Sequence, residues 1–444
     1  MDVKLELADI QGTVLRARPM PYYGMYSLFR IDNPKNAQLL LRRLLPHITS
    51  AEDWHNPREN AWINVVFTYQ GLKALGIDEE ILKGFPVEFR QGMAARKNYL
   101  GDIGVSDPEH WDMAHGGNGF HIGILTMAGS KELLEAKLEI GRRAVNELAG
   151  VTSVSRLEVG IPATMREHFG FADGFSRPFI EGEGGEPLPG QGDPLKAGEF
   201  VLGYENELGV VATGPGPEEF WRNGTYVSIR KLYQDVALFR RYLQGQAQTK
   251  DEQEFVAAKM MGRWRSGCPL ALSPQKDDPS VVGDKYKNNA FAYYDDDPDG
   301  KITPLGCHIR RVNPRDALKD SITNAKLHRV LRRGAAYGPL LPEGAMEDDG
   351  KNRGLVIAFI NANPGRQFEF VQSQWVNDGD FISEGMRTDP VVGRRDFSDD
   401  YTYPAKPFRK KITGLPDFTA TKGGEHTFLP GIGGLRWLIE HTKY

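Results

Sequence analysis

The order of predicted elements in the first third of the chain constrains the fold more than any other feature of the sequence. Apolar patterning predicts, in order, strand 24–31, helix 36–45, strand 62–69, strand 120–126, helix 131–148 and strand 151–159. The order strand, helix, strand, strand, helix, strand is the split βαβ plan of a ferredoxin-like domain. The sequence therefore predicts an antiparallel sheet with helices in this part of the chain.

A similar but less complete pattern recurs in the second half of the chain. Residues 181–192 consist mainly of glycine, proline and acid, which predicts a linker or surface loop. Beyond it, a strand over 226–230 leads into a helix over 235–243, and a strand over 354–360 leads into a helix over 367–376. The repetition favours a second domain related to the first, with an unrelated α+β domain as the alternative.

We therefore predict an α+β fold of two ferredoxin-like domains, residues 1–185 and residues 186–444, each an antiparallel sheet with helices. A chain of 444 residues exceeds what one hydrophobic core usually organises, which agrees with two domains. The apolar fraction of 40% and the formal charge of -4 lack the basic excess typical of nucleic-acid-binding proteins. Nucleic acid is therefore not an expected partner.

The compartment is inferred from what the sequence does not contain. Cys268 and Cys307 are too few for a disulfide framework or a thiolate metal cage. The first ten residues lack the basic flank and apolar run of a signal peptide, and no segment has the apolar length of a membrane helix. We expect no membrane partner and a cytoplasmic location by default, with secretion left open.

Residues 304–338 suit a metal or cofactor site. His308 enters a short segment that we predict as a strand, and Arg332 lies on a second segment that ends in glycine and proline. A neutral imidazole can bind a metal, and a guanidinium can stabilise an anion that develops opposite it. The alternative for a single histidine at a strand end is a hydrogen-bonded, half-buried side chain.

Asp173 lies in a second stretch whose residues suit proton transfer. Gly170 and Gly174 bracket it and aromatic residues surround it, so we expect a tight turn in partly apolar surroundings. A carboxylate held in such a place can take up and return protons. The alternative is a turn residue that is hydrogen-bonded to its own backbone.

Together these stretches resemble the dye-decolorizing peroxidase family. Residues 170–174 resemble the family's GxxDG motif, residues 307–315 its haem-ligand segment and residues 332–338 its distal-arginine segment. Further similar segments lie along most of the chain, at 9–12, 89–93, 198–204, 262–264 and 367–372. The resemblance implies two ferredoxin-like domains with haem in the C-terminal one, which agrees with the element order.

The resemblance implies a peroxidase with one heme b per chain, which reduces hydrogen peroxide and oxidises dyes and other aromatic reductants. His308 is expected to bind the haem iron, with Asp389 as the acceptor for its other ring nitrogen. On the opposite face, Asp173 is expected to move the peroxide proton, and Arg332 to stabilise the charge that builds as the O–O bond breaks. The oligomeric state does not follow from the resemblance.

The same resemblance implies the surroundings of the haem. Arg310 and Arg315 are expected at the haem propionates, because a guanidinium matches carboxylate geometry. Leu355 and Ile357 are expected to form the distal wall, which is often Leu and Phe in the family. Gly334 stands where several members carry asparagine, so that side chain is absent here.

Other residues near the expected haem are assigned by the same comparison. His168 lies near the motif, and we expect a surface or packing role for it instead of a role as the distal base. Because bulky dyes cannot reach a buried haem, Tyr337 and Trp375 are candidate surface relays for electrons, with core packing as the alternative. A carboxylate in place of an imidazole as distal base favours an acidic pH optimum.

Two other hypotheses fit part of this pattern. A non-catalytic haem-binding or haem-handling protein on the same fold needs His308 but has no use for Asp173 and Arg332. A haem-free α+β protein needs none of the three. A Soret band distinguishes the haem-free protein from the others, and oxidation of an anthraquinone dye by peroxide distinguishes the enzyme from the haem-binding protein.

Overall fold

The computed structural model describes residues 3–17, 20–52, 60–113, 119–161, 164–321, 323–382 and 387–442. Its strands are β1 (Tyr22–Ile31), β2 (Ala61–Phe67), β3 (Ile122–Ala128), β4 (Val151–Ile161), β5 (Thr225–Gln234), β6 (Leu331–Tyr337), β7 (Gly354–Asn361), β8 (Tyr401–Tyr403), β9 (Lys410–Ile412) and β10 (Thr419–Leu429). β8 pairs with β9, and the other strands close a barrel in the order β1-β3-β2-β10-β5-β7-β6-β4.

The helices cover the outside of this barrel and the segments between its strands. They are α1 (Pro34–Leu44), α2 (Tyr69–Ala74), α3 (Glu79–Lys83), α4 (Val87–Ala95), α5 (Lys97–Leu100), α6 (Lys131–Val145), α7 (Glu218–Trp221), α8 (Val236–Gln246), α9 (Lys250–Met261), α10 (Pro279–Val282), α11 (His308–Val312) and α12 (Ile432–His441). Two π-helical segments, Gly365–Glu369 and Val371–Val376, follow β7. Within the described ranges, none of the helices has the length and apolar character needed to cross a membrane.

The two halves of the barrel have the same strand order. Neighbouring strands run β4-β1-β3-β2 in the N-terminal half and β10-β5-β7-β6 in the C-terminal half, and every neighbouring pair is antiparallel. In each half the order is fourth, first, third, second along the chain, as expected for a split βαβ plan. The predicted α+β class with two ferredoxin-like units is therefore confirmed.

The two sheets join edge to edge. Phe67 of β2 pairs with Phe428 of β10, and Gly160 of β4 pairs with Ala336 of β6. Both halves therefore enclose a common interior, in which residues from the two sheets pack in one core cluster. The domain boundary at residue 185 stays a prediction.

Successive side chains of the strands point alternately into this interior and to the outer face of the sheet. On β7, Val356 and Ala358 belong to the core cluster that also contains Trp62 from the N-terminal half. Because successive side chains of a strand point to opposite faces, Leu355 and Ile357 lie on the outer face. This outer face of the C-terminal sheet forms one wall of a deep cavity.

Two strands of the C-terminal sheet are not predicted by the sequence. β6 contains Arg332 and Arg333 followed by Gly334, and β10 contains Gly423 and Gly424, so neither has a clear apolar period. β6 is held along its length by β7, and β10 by β5. Pairing with neighbouring strands, not local apolar pattern, therefore makes both segments strands.

The segment that begins at His308 is a helix, so the predicted strand is wrong. The N–H of Arg311 donates to the carbonyl of Cys307 over 3.0 Å, and that of Asn313 donates to Ile309 over 3.0 Å. Over so few residues, apolar spacing does not distinguish a strand from one helical turn. The helix predicted over 367–376 is confirmed as helical, although it is π-helical.

Candidate active site

A cavity of about 510 Å³ lies between the outer face of the C-terminal sheet and α11. Its walls come from β5, β6, β7 and β10, from α11, and from the loop over 167–178. The volume falls within the range of roughly 300–1,000 Å³ that is usual for ligand and cofactor sites. His308, Asp173 and Arg332, which are far apart in the sequence, all line this cavity.

A buried carboxylate holds the ring of His308 at the start of α11. The Nδ1 atom lies 2.8 Å from Oδ2 of Asp389, and the Asp389 side chain is completely buried. This contact fixes the orientation of the imidazole and leaves Nε2 for a metal. The expected pairing of His308 with Asp389 is confirmed.

Asp389 is fixed in turn by its own neighbours. Its Oδ1 accepts hydrogen bonds from the N–H groups of Val391, over 2.8 Å, and Val392, over 3.0 Å. Burial by itself raises the pKa of Asp389, but the charges of His308 and Arg311 and these hydrogen bonds outweigh it, and the pKa lies below its ordinary value of 3.8. The carboxylate therefore keeps its charge, and keeps orienting His308, in mildly acidic solution.

Asp173 lies on the predicted tight turn. Gly170 has φ +93° and Gly174 has φ +92°, in a region that residues with a side chain rarely adopt. The N–H of Gly174 donates to Oδ1 of Asp173 over 2.7 Å, and Nη2 of Arg332 donates to the same oxygen. Asp173 is therefore bonded to its own backbone, as in the simpler alternative, and also paired with the arginine.

Gly334 leaves the space beside Asp173 open. A Cβ atom at this position would lie 3.7 Å from Oδ2 of Asp173. Within the described residues, no group donates a hydrogen bond to that oxygen. The second carboxylate oxygen is therefore accessible from the cavity.

Phe359 completes the wall that was expected from Leu355 and Ile357. All three line the cavity, and in the antiparallel register of β6 and β7 Phe359 lies directly opposite Arg332. Ile357 is two pairs further along and Leu355 four pairs further, so Leu355 is the most distant from the arginine. Phe359 was not predicted from the sequence, although alternation from Leu355 places it on the same face.

The two arginines expected at the propionates differ in position. Arg315 lines the cavity, and its Nε is buried without a hydrogen-bond partner. Arg310 does not line the cavity: its Nη1 donates to Oδ2 of Asp297 over 3.1 Å and to the carbonyl of Thr303 over 2.8 Å. The expectation for Arg310 is corrected accordingly, because its hydrogen-bonding capacity is used to hold the loop that contains Asp297.

Arg329 is a cation in the cavity that the sequence analysis missed. It lines the cavity, and no group in the described ranges accepts a hydrogen bond from its guanidinium. Burial, followed by the charge of nearby Arg315, lowers the pKa of Arg329 to about 10. Because a half-buried cation without an anion is unfavourable, Arg329 marks a place where an anionic group of a ligand fits.

Tyr337 and Trp375 are buried, so the surface position expected of both relay candidates is wrong. Tyr337 is 4% exposed and Trp375 is 1% exposed. Tyr337 points into the barrel, since it follows Arg332 by an odd number of strand residues, and its hydroxyl donates to Oδ1 of Asn352 over 3.0 Å. Trp375 stacks on Phe381. The packing alternative describes both residues.

His168 also packs in the interior. Its Nε2 lies 2.8 Å from the carbonyl oxygen of Tyr337, and its side chain does not line the cavity. Burial lowers the pKa of His168, which favours the neutral imidazole. The packing role expected for this residue is confirmed.

A buried ion pair on the cavity wall was not anticipated from the sequence. Nη1 and Nη2 of Arg230 donate to the two carboxylate oxygens of Asp102, over 2.6 Å and 2.5 Å. The two side chains are only 3% and 2% exposed. This bidentate pair ties the segment after α5 to β5, and so holds part of the N-terminal half over the C-terminal sheet.

The residues around the cavity fit a haem. A haem needs an axial nitrogen, an apolar space for the flat ring and cations for its two carboxylates. His308 supplies the nitrogen, and Ile357 and Phe359 supply apolar surface. Arg329 supplies a guanidinium without an acceptor in the described ranges, and Arg315 supplies an unsatisfied Nε.

Comparisons with known proteins agree with this arrangement. Residues 9–156 match the family model of the DyP dimeric alpha+beta barrel domain. A dye-decolorizing peroxidase of Mycena epipterygia is 30% identical over 419 residues, which cover 84% of this chain and 75% of the relative. A solved ancestral D-type dye decolorizing peroxidase is 28% identical with a TM-score of 0.85, covering 98% of this chain and 99% of that chain. A solved complex of a dye-decolorizing peroxidase with 2,6-dimethoxyphenol has a TM-score of 0.85 at 26% identity, with 98% and 99% covered.

Proposed function

The chain belongs to the dye-decolorizing peroxidase family, whose members are haem enzymes that use hydrogen peroxide, and on this premise we propose that it oxidises dyes and phenolic compounds at a haem in the cavity. One observation carries the proposal: His308, with Nε2 left for a metal, lines the same cavity as the paired Asp173 and Arg332. A protein that only holds haem needs the histidine but has no use for a carboxylate and a guanidinium facing it.

We propose one heme b per chain, held between α11 and the outer face of β6 and β7. His308 would bind the haem iron through Nε2, and Arg329 together with Nε of Arg315 would bind the propionates. The bound haem supplies an iron that peroxide can reach and a store for two oxidising equivalents. Ile357 and Phe359 keep bulk water away from the space beside Asp173, which strengthens electrostatic interactions there.

Asp173 acts as the proton carrier in this proposal. Its Oδ1 is occupied by Gly174 and Arg332, so Oδ2 is the atom that takes the proton from peroxide and returns it to the departing oxygen. The missing side chain at Gly334 keeps Oδ2 accessible.

Arg332 stabilises the negative charge that develops as the O–O bond breaks. Its guanidinium is already oriented by its hydrogen bond to Asp173. The pair therefore places a proton acceptor and a fixed cation side by side.

The test is steady-state oxidation of an anthraquinone dye by hydrogen peroxide, measured on protein whose Soret band has first established haem binding. The phenolic substrate for a parallel assay is 2,6-dimethoxyphenol, because the structure of a dye-decolorizing peroxidase has been solved in complex with it. Turnover of either reductant together with a Soret band is the expected result. A Soret band without turnover favours a haem-binding protein, and the absence of a Soret band after haem is added contradicts both.

Replacing Arg329 by leucine is expected to have opposite effects on haem binding and on the haem-free protein. Haem binding should weaken by about 1.5–3 kcal/mol, because a hydrogen bond to a charged propionate is lost. The haem-free protein should be at least as stable as wild type, because an unpaired, half-buried cation is removed. Haem titration followed at the Soret band and thermal unfolding of the haem-free protein measure the two effects.

The matched control for this variant is Arg310→Leu. Arg310 is bonded to Asp297 and does not line the cavity, so its loss should lower the melting temperature of the haem-free protein. Unchanged haem affinity in Arg329→Leu would mean that Arg329 does not bind a propionate.

A further inference from the structure

Glu167 lines the cavity at the start of the turn that carries Asp173. Its side chain is half-buried, and it makes no ion pair within the described residues. Burial raises the pKa of Glu167 above its ordinary value, although hydrogen bonds and the charge of Arg265 oppose the shift. A carboxylate partly withdrawn from water is unfavourable unless hydrogen bonds compensate, so the contacts of Glu167 are informative.

The carboxylate of Glu167 accepts hydrogen bonds from two backbone N–H groups of the turn. Oε1 accepts a hydrogen bond from the N–H of Phe171 over 2.9 Å, and Oε2 accepts one from the N–H of Phe169 over 2.9 Å. The backbone adds a bond from the N–H of Glu167 to the carbonyl of Phe171, over 2.9 Å. One side chain therefore fixes two peptide groups of the turn that ends at Asp173.

Gln234 connects this turn to the C-terminal sheet. Its Nε2 donates to Oε2 of Glu167 over 2.6 Å, and its side chain is buried at the end of β5. The backbone N–H of Gln234 donates to the carbonyl of Arg353, just before β7, over 3.0 Å. The glutamate is thus bonded to the sheet that carries Arg332.

The connection through Glu167 and Gln234 joins the turn that carries Asp173 to the C-terminal sheet. The turn belongs to the segment that follows β4 of the N-terminal half, whereas Arg332 lies on β6 of the C-terminal half. A proton carrier must be held within about 0.5 Å of its productive position. The contacts of Glu167 join the two halves directly beside the reacting groups.

We propose that Glu167 is a positioning residue for the peroxide reaction, which fixes the turn carrying Asp173 against the sheet that carries Arg332. It acts through Asp173 and does not touch peroxide itself. The proposal rests on the proposed function, in which Asp173 moves the proton. Glutamine at position 167 keeps the size of the side chain but presents an N–H₂ group where one of the oxygens accepts hydrogen bonds.

A double-mutant cycle tests this role. Glu167→Gln, Asp173→Asn and the double variant are loaded with haem, and the rate constant for reaction with hydrogen peroxide is measured for each by stopped-flow absorbance. We expect Glu167→Gln to lower the rate constant about tenfold in the wild-type background and less than about twofold in the Asp173→Asn background, since coupled residues are not additive. KM for the dye should not change.

A second readout does not depend on turnover. Amide hydrogen exchange of Phe169 and Phe171 should become about tenfold faster in Glu167→Gln, because their acceptors are weakened. Glu186→Gln, an exposed glutamate on the following loop, is the matched control and should leave both the exchange and the rate constant as in wild type. Gln234→Met removes the connection to β5 alone and should reproduce the loss of rate if Glu167→Gln does not fold.

The outcomes separate the two proposals. If Asp173→Asn lowers the rate but Glu167→Gln lowers it equally in both backgrounds, Glu167 only maintains the fold, and this inference is overturned while the proposed function stands. If Asp173→Asn leaves the rate unchanged, the proposed function fails and the inference fails with it.

Discussion

Replacing Asp173 by asparagine is expected to lower the rate constant for reaction with hydrogen peroxide by about 10²–10⁴-fold, the usual contribution of a positioned general acid and base. An amide has nearly the same shape and can stay on the turn, but it cannot take up and return a proton at Oδ2. The change in the haem absorption band after rapid mixing with peroxide measures this step separately from dye oxidation.

The matched comparison is His168→Gln. His168 lies in the same stretch but contacts the carbonyl of Tyr337 and does not line the cavity, and glutamine can keep that hydrogen bond. We expect a rate constant close to that of wild type. A large loss in His168→Gln together with a small loss in Asp173→Asn would transfer the role of distal base to the histidine.

Replacing His308 by alanine is expected to abolish stable haem binding. The substitution removes the axial ligand and leaves Asp389 buried without its partner, a change that usually destabilises a protein by about 3–5 kcal/mol. The ratio of Soret to protein absorbance after haem titration measures the first effect. Thermal unfolding of the haem-free variant measures the second.

Asp389→Asn is the graded control for His308→Ala. It keeps the ligand but weakens the acceptor that orients it, and loss of such a partner typically costs about 10–100-fold in metal affinity or activity. Wild-type haem affinity and spectrum in His308→Ala would contradict the assignment of the ligand.

The sequence by itself determined the parts of the molecule whose signal is local. The strands and helices of the N-terminal half follow from their apolar periods, because each element must bury one apolar face whatever it packs against. The turn at Asp173 follows from Gly170 and Gly174, because only glycine adopts their positive φ without strain. The segments that resemble a known family supplied His308 and Arg332, and the structure brings both to the cavity with Asp173.

Only the tertiary structure decided which side chains face the cavity and which are used elsewhere. Nothing in the sequence distinguishes the roles of Arg310 and Arg329. In the structure, Arg310 is bonded to Asp297, whereas Arg329 lines the cavity without an acceptor in the described ranges. Tyr337 and Trp375 are likewise indistinguishable from surface aromatics until packing buries them.

The same holds for the closure of the barrel. β6 and β10 carry glycines and charges that give no clear strand period, and they become strands because β7 and β5 supply partners for their backbone groups. Apolar periodicity and turn-forming residues are local features of the sequence, so the sequence alone predicts the elements that depend on them. Which face of an element is buried, and which charge finds a partner, depends on residues that only folding brings together.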